Sequence, residues 1–190
     1  MKIFFSGAQG TGKSTLVYEI AKLLPELTVE DSMSKIFMDT KEIQTDFNND
    51  RFLDFQTKIT LYHLNNMINV DNVICSRSTA DSYAYMMYAY QHSNNENVKS
   101  LLSSLLDVVE QCNLIQKNQG GVLNIYVPIM FEISDGGNSL RNTDKQYQQD
   151  IDSLLANYTS EGYNFYTVKS LSIEDRVKEI MGVIKEFYGI

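Results

Sequence analysis

Gly7-Ala8-Gln9-Gly10-Thr11-Gly12-Lys13-Ser14 decides the reading of this chain. The spacing is G-x-x-x-x-G-K-[ST], the phosphate-binding P-loop, in which glycines let successive backbone N–H groups turn toward one point and approach a phosphate closely. The stretch lies between an apolar strand, Lys2-Ile3-Phe4-Phe5-Ser6, and an amphipathic segment from Ser14 to Leu24. A helix opening at Gly12 or Lys13 aims its positive dipole end at the same point. Gly7, Ala8, Gln9, Gly10, Thr11, Gly12, Lys13, Ser14 and Thr15 are therefore expected to bind a nucleotide. Lys13 reaches its β- and γ-phosphates, and the Ser14 hydroxyl ligates Mg²⁺. The motif speaks for binding and leaves open what is done with the nucleotide.

Composition narrows the class. The chain has 190 residues, enough for one domain with a full core, and with 43% hydrophobic residues, nine Phe and twelve Tyr it is a globular sequence. No apolar run approaches a membrane span, and the apolar tract of residues 3–5 is too short for a signal peptide. Cys75 and Cys112 show no metal-ligand spacing and read as buried free thiols, which suits a reducing cytoplasm. A net charge of −8 argues against a broad grip on nucleic acid while leaving room for one local basic cleft.

Outward from the loop, Leu16, Ile20, Leu23 and Leu24 fall on one helical face and Pro25 ends that helix. Strands are expected at 27–30, 72–76, 122–127 and 163–168, and helices at 51–69, 78–90, 97–117, 144–158 and from Ser172 onward. Val98, Leu101, Leu105, Val108 and Cys112 mark the inward stripe of the 97–117 segment. Residues 32–50 are polar and carry no clear period, and 132–143 are loop-like. Five strands alternating with helices imply a parallel sheet covered on both faces, with ligands at the carboxyl ends of the strands.

Residues just after strands are therefore the candidates. Glu30 ends the second strand as a possible base or Mg²⁺ partner; the alternative is that Glu30 and Asp31 begin a loop or cap a following helix. Arg77 follows a buried strand and suits a bidentate phosphate clamp, or else a salt bridge to a neighbouring acid. Ser78-Thr79-Ala80-Asp81 is a capping box in its own right, which gives Asp81 a structural role. Arg141, in a polar loop, is either a cation that closes over the phosphates or a solvated side chain. His63 and His92 read as helix or surface residues rather than catalysts. The tyrosine-rich stretch 83–90 reads as mostly core, with one or two rings near its start able to stack on a base.

Phe55-Gln56-Thr57 within a helix, followed by Cys75-Ser76-Arg77-Ser78-Thr79-Ala80-Asp81-Ser82-Tyr83, resembles the deoxyribonucleoside kinase pattern. Tyr126-Val127-Pro128, then Asp135-Gly136 and Arg141, is similar to the nicotinamide-riboside-kinase-like and phage-type nucleotide kinases. The resemblance implies a three-layer α/β P-loop NTPase fold, a five-stranded parallel sheet in the order 2-3-1-4-5 with helices on both faces. It implies one kinase domain over 1–190, with a lid around 132–146. It assigns Glu30 as base, Gln56 and Asp81 to the acceptor's base edge, Arg77 to phosphate or acceptor, and Arg141 to the lid. Ser76 stands where those kinases carry Asp or Glu, which shifts the Mg²⁺-linked role toward Glu30 or Asp31. The lid has one arginine where nucleoside kinases carry several.

The expected reaction moves the γ-phosphate of ATP, with Mg²⁺, to a hydroxyl of a nucleoside, a nucleotide or a 5-hydroxymethylpyrimidine in phage DNA. Lys13, Glu30, Arg77 and Arg141 would be catalytic, and Ser14 and Glu30 the metal ligands. A DNA acceptor would draw on Lys35, Lys41, Arg51, Lys58 and Arg77 for a basic cleft. The expected setting is cytoplasmic, the host cytoplasm for a phage protein, with a homodimer among the open possibilities. The alternative is a P-loop NTPase acting as a nucleotide-dependent switch. It is disfavoured because no guanine-specifying Asn/Thr-Lys-x-Asp stretch is present and Ser76 occupies the place of a Walker-B acid.

Overall fold

The computed structural model describes residues 1–30, 46–48, 50–131, 142–161 and 165–190. The described chain runs β1 (Lys2–Ser6), α1 (Lys13–Leu23), β2 (Thr28–Glu30), α2 (Asp50–Asn69), β3 (Val73–Cys75), α3 (Thr79–His92), α4 (Glu96–Gln119), β4 (Val122–Tyr126), α5 (Lys145–Glu161), β5 (Phe165–Thr167) and α6 (Ile173–Tyr188). The strands form one sheet in the order β2-β3-β1-β4-β5, every pair parallel. The parallel sheet is the one expected from the alternation of strands and helices, and its order is the one the resemblance to the kinases implies. Among the described residues, no helix is long and apolar enough to cross a membrane.

The period-2 alternation of the strands sorts their side chains to two faces. Ile3 and Phe5 of β1, Ile74 of β3, and Leu123 and Ile125 of β4 pack with Leu16, Val17 and Ile20 of α1 and with Ile180 and Ile184 of α6. Phe4, Val73, Cys75 and Val122 point the other way, onto Leu64 and Met67 of α2. Because both faces are covered, the inner strands β1, β3 and β4 are largely apolar runs. β1 is central and carries the glycine loop at its carboxyl end, between β3 and β4.

Two expected helix faces are rotated. In α4, Val98, Leu102, Leu106 and Val109 are the buried stripe, while Leu101 and Val108 are 54% and 46% exposed. The apolar residues of α4 come in doublets (101–102, 105–106, 108–109), so two stripes one residue apart satisfy the same period. Contact with Phe52 of α2 and with Met86 and Ala89 of α3 selects the second stripe. In α1, Leu23 is exposed and Val17 takes its place in the core. The two caps read from sequence are present: Ser78 and Asp81 form a capping box on α3, and Ser172 accepts from the Asp175 amide at 3.1 Å on α6.

His63 is buried between α2 and α3, with Nδ1 2.8 Å from the Ser82 hydroxyl and Nε2 without a hydrogen-bond partner. Burial, only partly offset by Asp81, lowers its pKa to about 4. The fold therefore holds a neutral imidazole that the unfolded chain protonates below about pH 6.5. Its contribution is complete above that pH and declines as pH falls toward 4, by about 3 kcal/mol in all. In denaturant unfolding, the stability of wild type relative to His63→Gln is expected to fall by that amount between about pH 7 and pH 4. A pH-independent difference would remove His63 from the acid response.

Candidate active site

The glycines of the loop are there for two reasons. A Cβ on Gly7 would run into the carbonyl oxygen of Val127, the residue after β4, and would crowd the Thr11 hydroxyl. Gly10 and Gly12 adopt φ of 83° and 91°, left-handed values that side chains resist. Gly12 is the N-cap of α1, and among the described residues no side chain caps this helix and no acid stands in its first turn. Its leading amides and dipole are therefore directed to an anion rather than to a protein carboxylate. Lys13 folds back over the loop, and its Nζ donates to the carbonyls of Gly7 and Ala8 at 2.6 and 2.7 Å.

The start of α3 is tied to this loop. The Asp81 carboxylate accepts from the Ser78 amide at 3.0 Å, from Arg77 Nη1 at 2.6 Å and from the Gly7 amide at 3.4 Å. Arg77 Nη1 also donates to the Gly7 carbonyl at 3.1 Å, and the Ser6 and Ser78 hydroxyls lie 2.6 Å apart. Burial opposes the charge on Arg77, but Tyr85 and Asp81 outweigh this and hold its pKa above the ordinary value. Of the two alternatives read from sequence, the salt bridge to a neighbouring acid is the one present. Arg77 is salt-bridged to Asp81 and at the same time lies against the first residue of the phosphate loop.

Glu30 ends β2 and accepts a hydrogen bond from the Tyr62 hydroxyl of α2. Burial, reinforced by Glu30, pushes the Tyr62 phenol up to about 12, so it stays a donor throughout the physiological range. Gln56, one and a half turns earlier on α2, is 4% exposed. Glu30, Gln56, Arg77 and Asp81 thus come from the end of β2, from α2, from the turn after β3 and from the first turn of α3. Asp31, Lys35, Lys41, the Asp135-Gly136 stretch and Arg141 lie outside the described residues. Of the other lysines and arginines named for a basic cleft, Lys58 is exposed and paired with Asp54 at 2.6 Å, and Arg51 is exposed at the start of α2.

Sequence reasoning missed three residues. Arg176 of α6 is 1% exposed: Nε donates to the Ser170 carbonyl at 2.8 Å, Nη1 to the Thr11 carbonyl of the loop at 3.3 Å, and the guanidinium lies 4.6 Å from the Phe131 ring centre. Among the described residues it forms no salt bridge, and burial lowers its pKa. Gln148 of α5 donates to the Gln9 carbonyl at 2.6 Å. Asp152, also of α5, accepts from the Tyr126 hydroxyl at 2.9 Å and the Ile129 amide at 3.4 Å, fixing the turn that follows β4. All three sit within helices, more than a hundred residues from the loop, where no local motif marks them.

A glycine loop closing over the start of a helix, at the carboxyl edge of a parallel sheet ordered 2-3-1-4-5, defines an α/β P-loop protein of the kinase-type fold. A family model described as an AAA domain matches residues 2–176, and the chain belongs to that family. No curated protein matches its sequence. Among solved structures, the fold is similar to deoxyadenosine kinase from M. mycoides with bound dATP (TM-score 0.66, 18% identity, 97% of this chain and 99% of that one). It is also similar to thymidylate kinase from Candida albicans (0.65, 15%, 97% and 90%) and to shikimate kinase from Acinetobacter baumannii in complex with shikimate (0.56, 16%, 97% and 93%).

Proposed function

We propose that this protein transfers the γ-phosphate of ATP to a hydroxyl of a small acceptor of the nucleoside or nucleotide type. The observation that carries the reading is the glycine loop at the carboxyl edge of a parallel sheet ordered 2-3-1-4-5. The buried Gln56 amide, with a donor and an acceptor on one planar group, suits the hydrogen-bonding edge of a base. Support comes from the fold shared with the nucleoside, nucleotide and shikimate kinases above.

In this reading the loop amides and Lys13 hold the β- and γ-phosphates, and Arg176 adds a cation behind Thr11. Glu30, oriented by Tyr62, takes the acceptor's hydroxyl proton. The acceptor oxygen attacks the γ-phosphorus, the bond to the β-phosphate oxygen breaks, and ADP leaves. Arg77, held by Asp81, faces the migrating group, and Arg141 supplies a second cation from the lid. Mg²⁺ takes most of its ligands from substrate phosphates and water, with one or two protein oxygens, and Ser14 and Glu30 offer oxygens of that kind. Bound there, it neutralises charge on the β- and γ-phosphates. With Arg77 engaged by Asp81 and Lys58 by Asp54, the geometry favours a small acceptor over a base within DNA.

The test is transfer from γ-labelled ATP to a panel of deoxynucleosides, their monophosphates, shikimate, and DNA with and without 5-hydroxymethylpyrimidines. Label on a nucleoside or nucleotide is the expected result. Label on DNA would restore the larger acceptor, and label released only as free phosphate would replace the kinase with a nucleotide-hydrolysing switch.

A further inference from the structure

Gln9, third in the glycine loop, is buried, and the two halves of its amide are treated differently. Its Oε1 accepts from the Tyr85 hydroxyl of α3 at 2.8 Å, whereas its Nε2 is enclosed and has no partner. The orientation is not arbitrary. The Arg77 guanidinium lies 5.5 Å from the Tyr85 ring centre, and both it and the phenol oxygen are drawn into one polar cluster with Asp81. A cation beside that oxygen turns the hydroxyl's proton toward Gln9, which makes Gln9 Oε1 the acceptor and leaves the NH₂ over. The backbone of Gln9 is fixed as well, by Gln148. A buried N–H donor on a phosphate-binding loop, oriented by two neighbours and matched to no protein acceptor, is a site prepared for an oxygen of the ligand.

We propose that Gln9 donates a hydrogen bond to the terminal phosphate of the bound nucleoside triphosphate, and that Tyr85 is a positioning residue that turns the amide for it. Through Tyr85, Gln9 is joined to the Arg77–Asp81 pair, and in the reading above Arg77 is the cation that faces the group being transferred. The proposal rests on the reading of the loop as a triphosphate site and is independent of which acceptor is used.

The test is calorimetric binding of the magnesium complexes of ADP and of a non-hydrolysable ATP analogue, AMP-PNP, to the full chain. Gln9→Leu keeps the side chain's bulk without its donor. It is expected to weaken AMP-PNP about tenfold while ADP stays within about twofold. Tyr85→Phe keeps the ring and releases the amide, and is expected to lower the same ratio about threefold. An AMP-PNP to ADP ratio unchanged in Gln9→Leu overturns the proposal, and one unchanged in Tyr85→Phe overturns the positioning role. Should Gln9→Leu not fold, the ratio in Tyr85→Phe decides alone. Wild-type protein that binds neither nucleotide would overturn the triphosphate reading itself, a result distinct from an unchanged ratio.

Discussion

Glu30→Gln is expected to lower phosphoryl transfer by about 10²- to 10⁴-fold while ATP affinity stays within about twofold. The substitution keeps the shape of the side chain at the end of β2 and can still accept from Tyr62, and burial by itself still raises that phenol's pKa. What it removes is the ability to take a proton. A fall in turnover with binding preserved therefore isolates the base from the architecture around it. Single-turnover transfer, read beside nucleotide binding, separates the two quantities. Unchanged turnover would take Glu30 out of the mechanism and leave Asp31 as the neighbouring acid to test. Loss of binding in equal measure would make Glu30 a ligand-site residue rather than a base.

Arg176→Met is expected to lower kcat/KM for ATP by about 10²-fold and to leave the stability of the protein unchanged or raised by about 1 kcal/mol. The opposed signs follow from the way this arginine is buried. Among the described residues its polar contacts are the carbonyls of Ser170 and Thr11 and the sulfur of Met130. Glu179, three residues along the helix and the acid whose charge acts on Arg176, is occupied: it accepts from the Tyr166 hydroxyl and from the Lys169 and Ser170 amides, which against the effect of burial hold its pKa down to about 2. A buried guanidinium without a carboxylate among the described residues is costly, and in the proposed reading the bound triphosphate supplies the charge it needs. Methionine fills similar space without the charge. Thermal unfolding and steady-state kinetics on one preparation check both arms. A less stable protein with unaltered kcat/KM would reduce Arg176 to a packing residue.

The fold was legible because its signals are local. The Gly7–Ser14 spacing, the apolar runs of β1, β3 and β4, and the caps at Ser78 and Ser172 each depend on a few consecutive residues. What escaped was relational. The doublets of α4 admit two stripes, and only its contact with α2 and α3 chooses between them. Arg77 at a strand end is visible in the sequence, but its division between Asp81 and the Gly7 carbonyl is not. Arg176 and Gln148 read as ordinary helix residues until the sheet brings their helices to the loop. The Gln9 side chain, inside the most recognisable motif of the chain, gained a separate meaning only when Tyr85 was seen to occupy one end of its amide.

The central place of β1 carries a kinetic consequence. Lys2 pairs with Val73 on one side and Val122 on the other, so the first strand completes its ladders only with partners some seventy and a hundred and twenty positions away. Contacts of that separation make for slow folding compared with a helical bundle of equal size. They also mean that the loop between β1 and α1 acquires its shape with the sheet as a whole, not ahead of it. A nucleotide bound there stabilises the entire cooperative unit and slows its global opening, so protection from amide exchange on ligand binding should spread across all five strands.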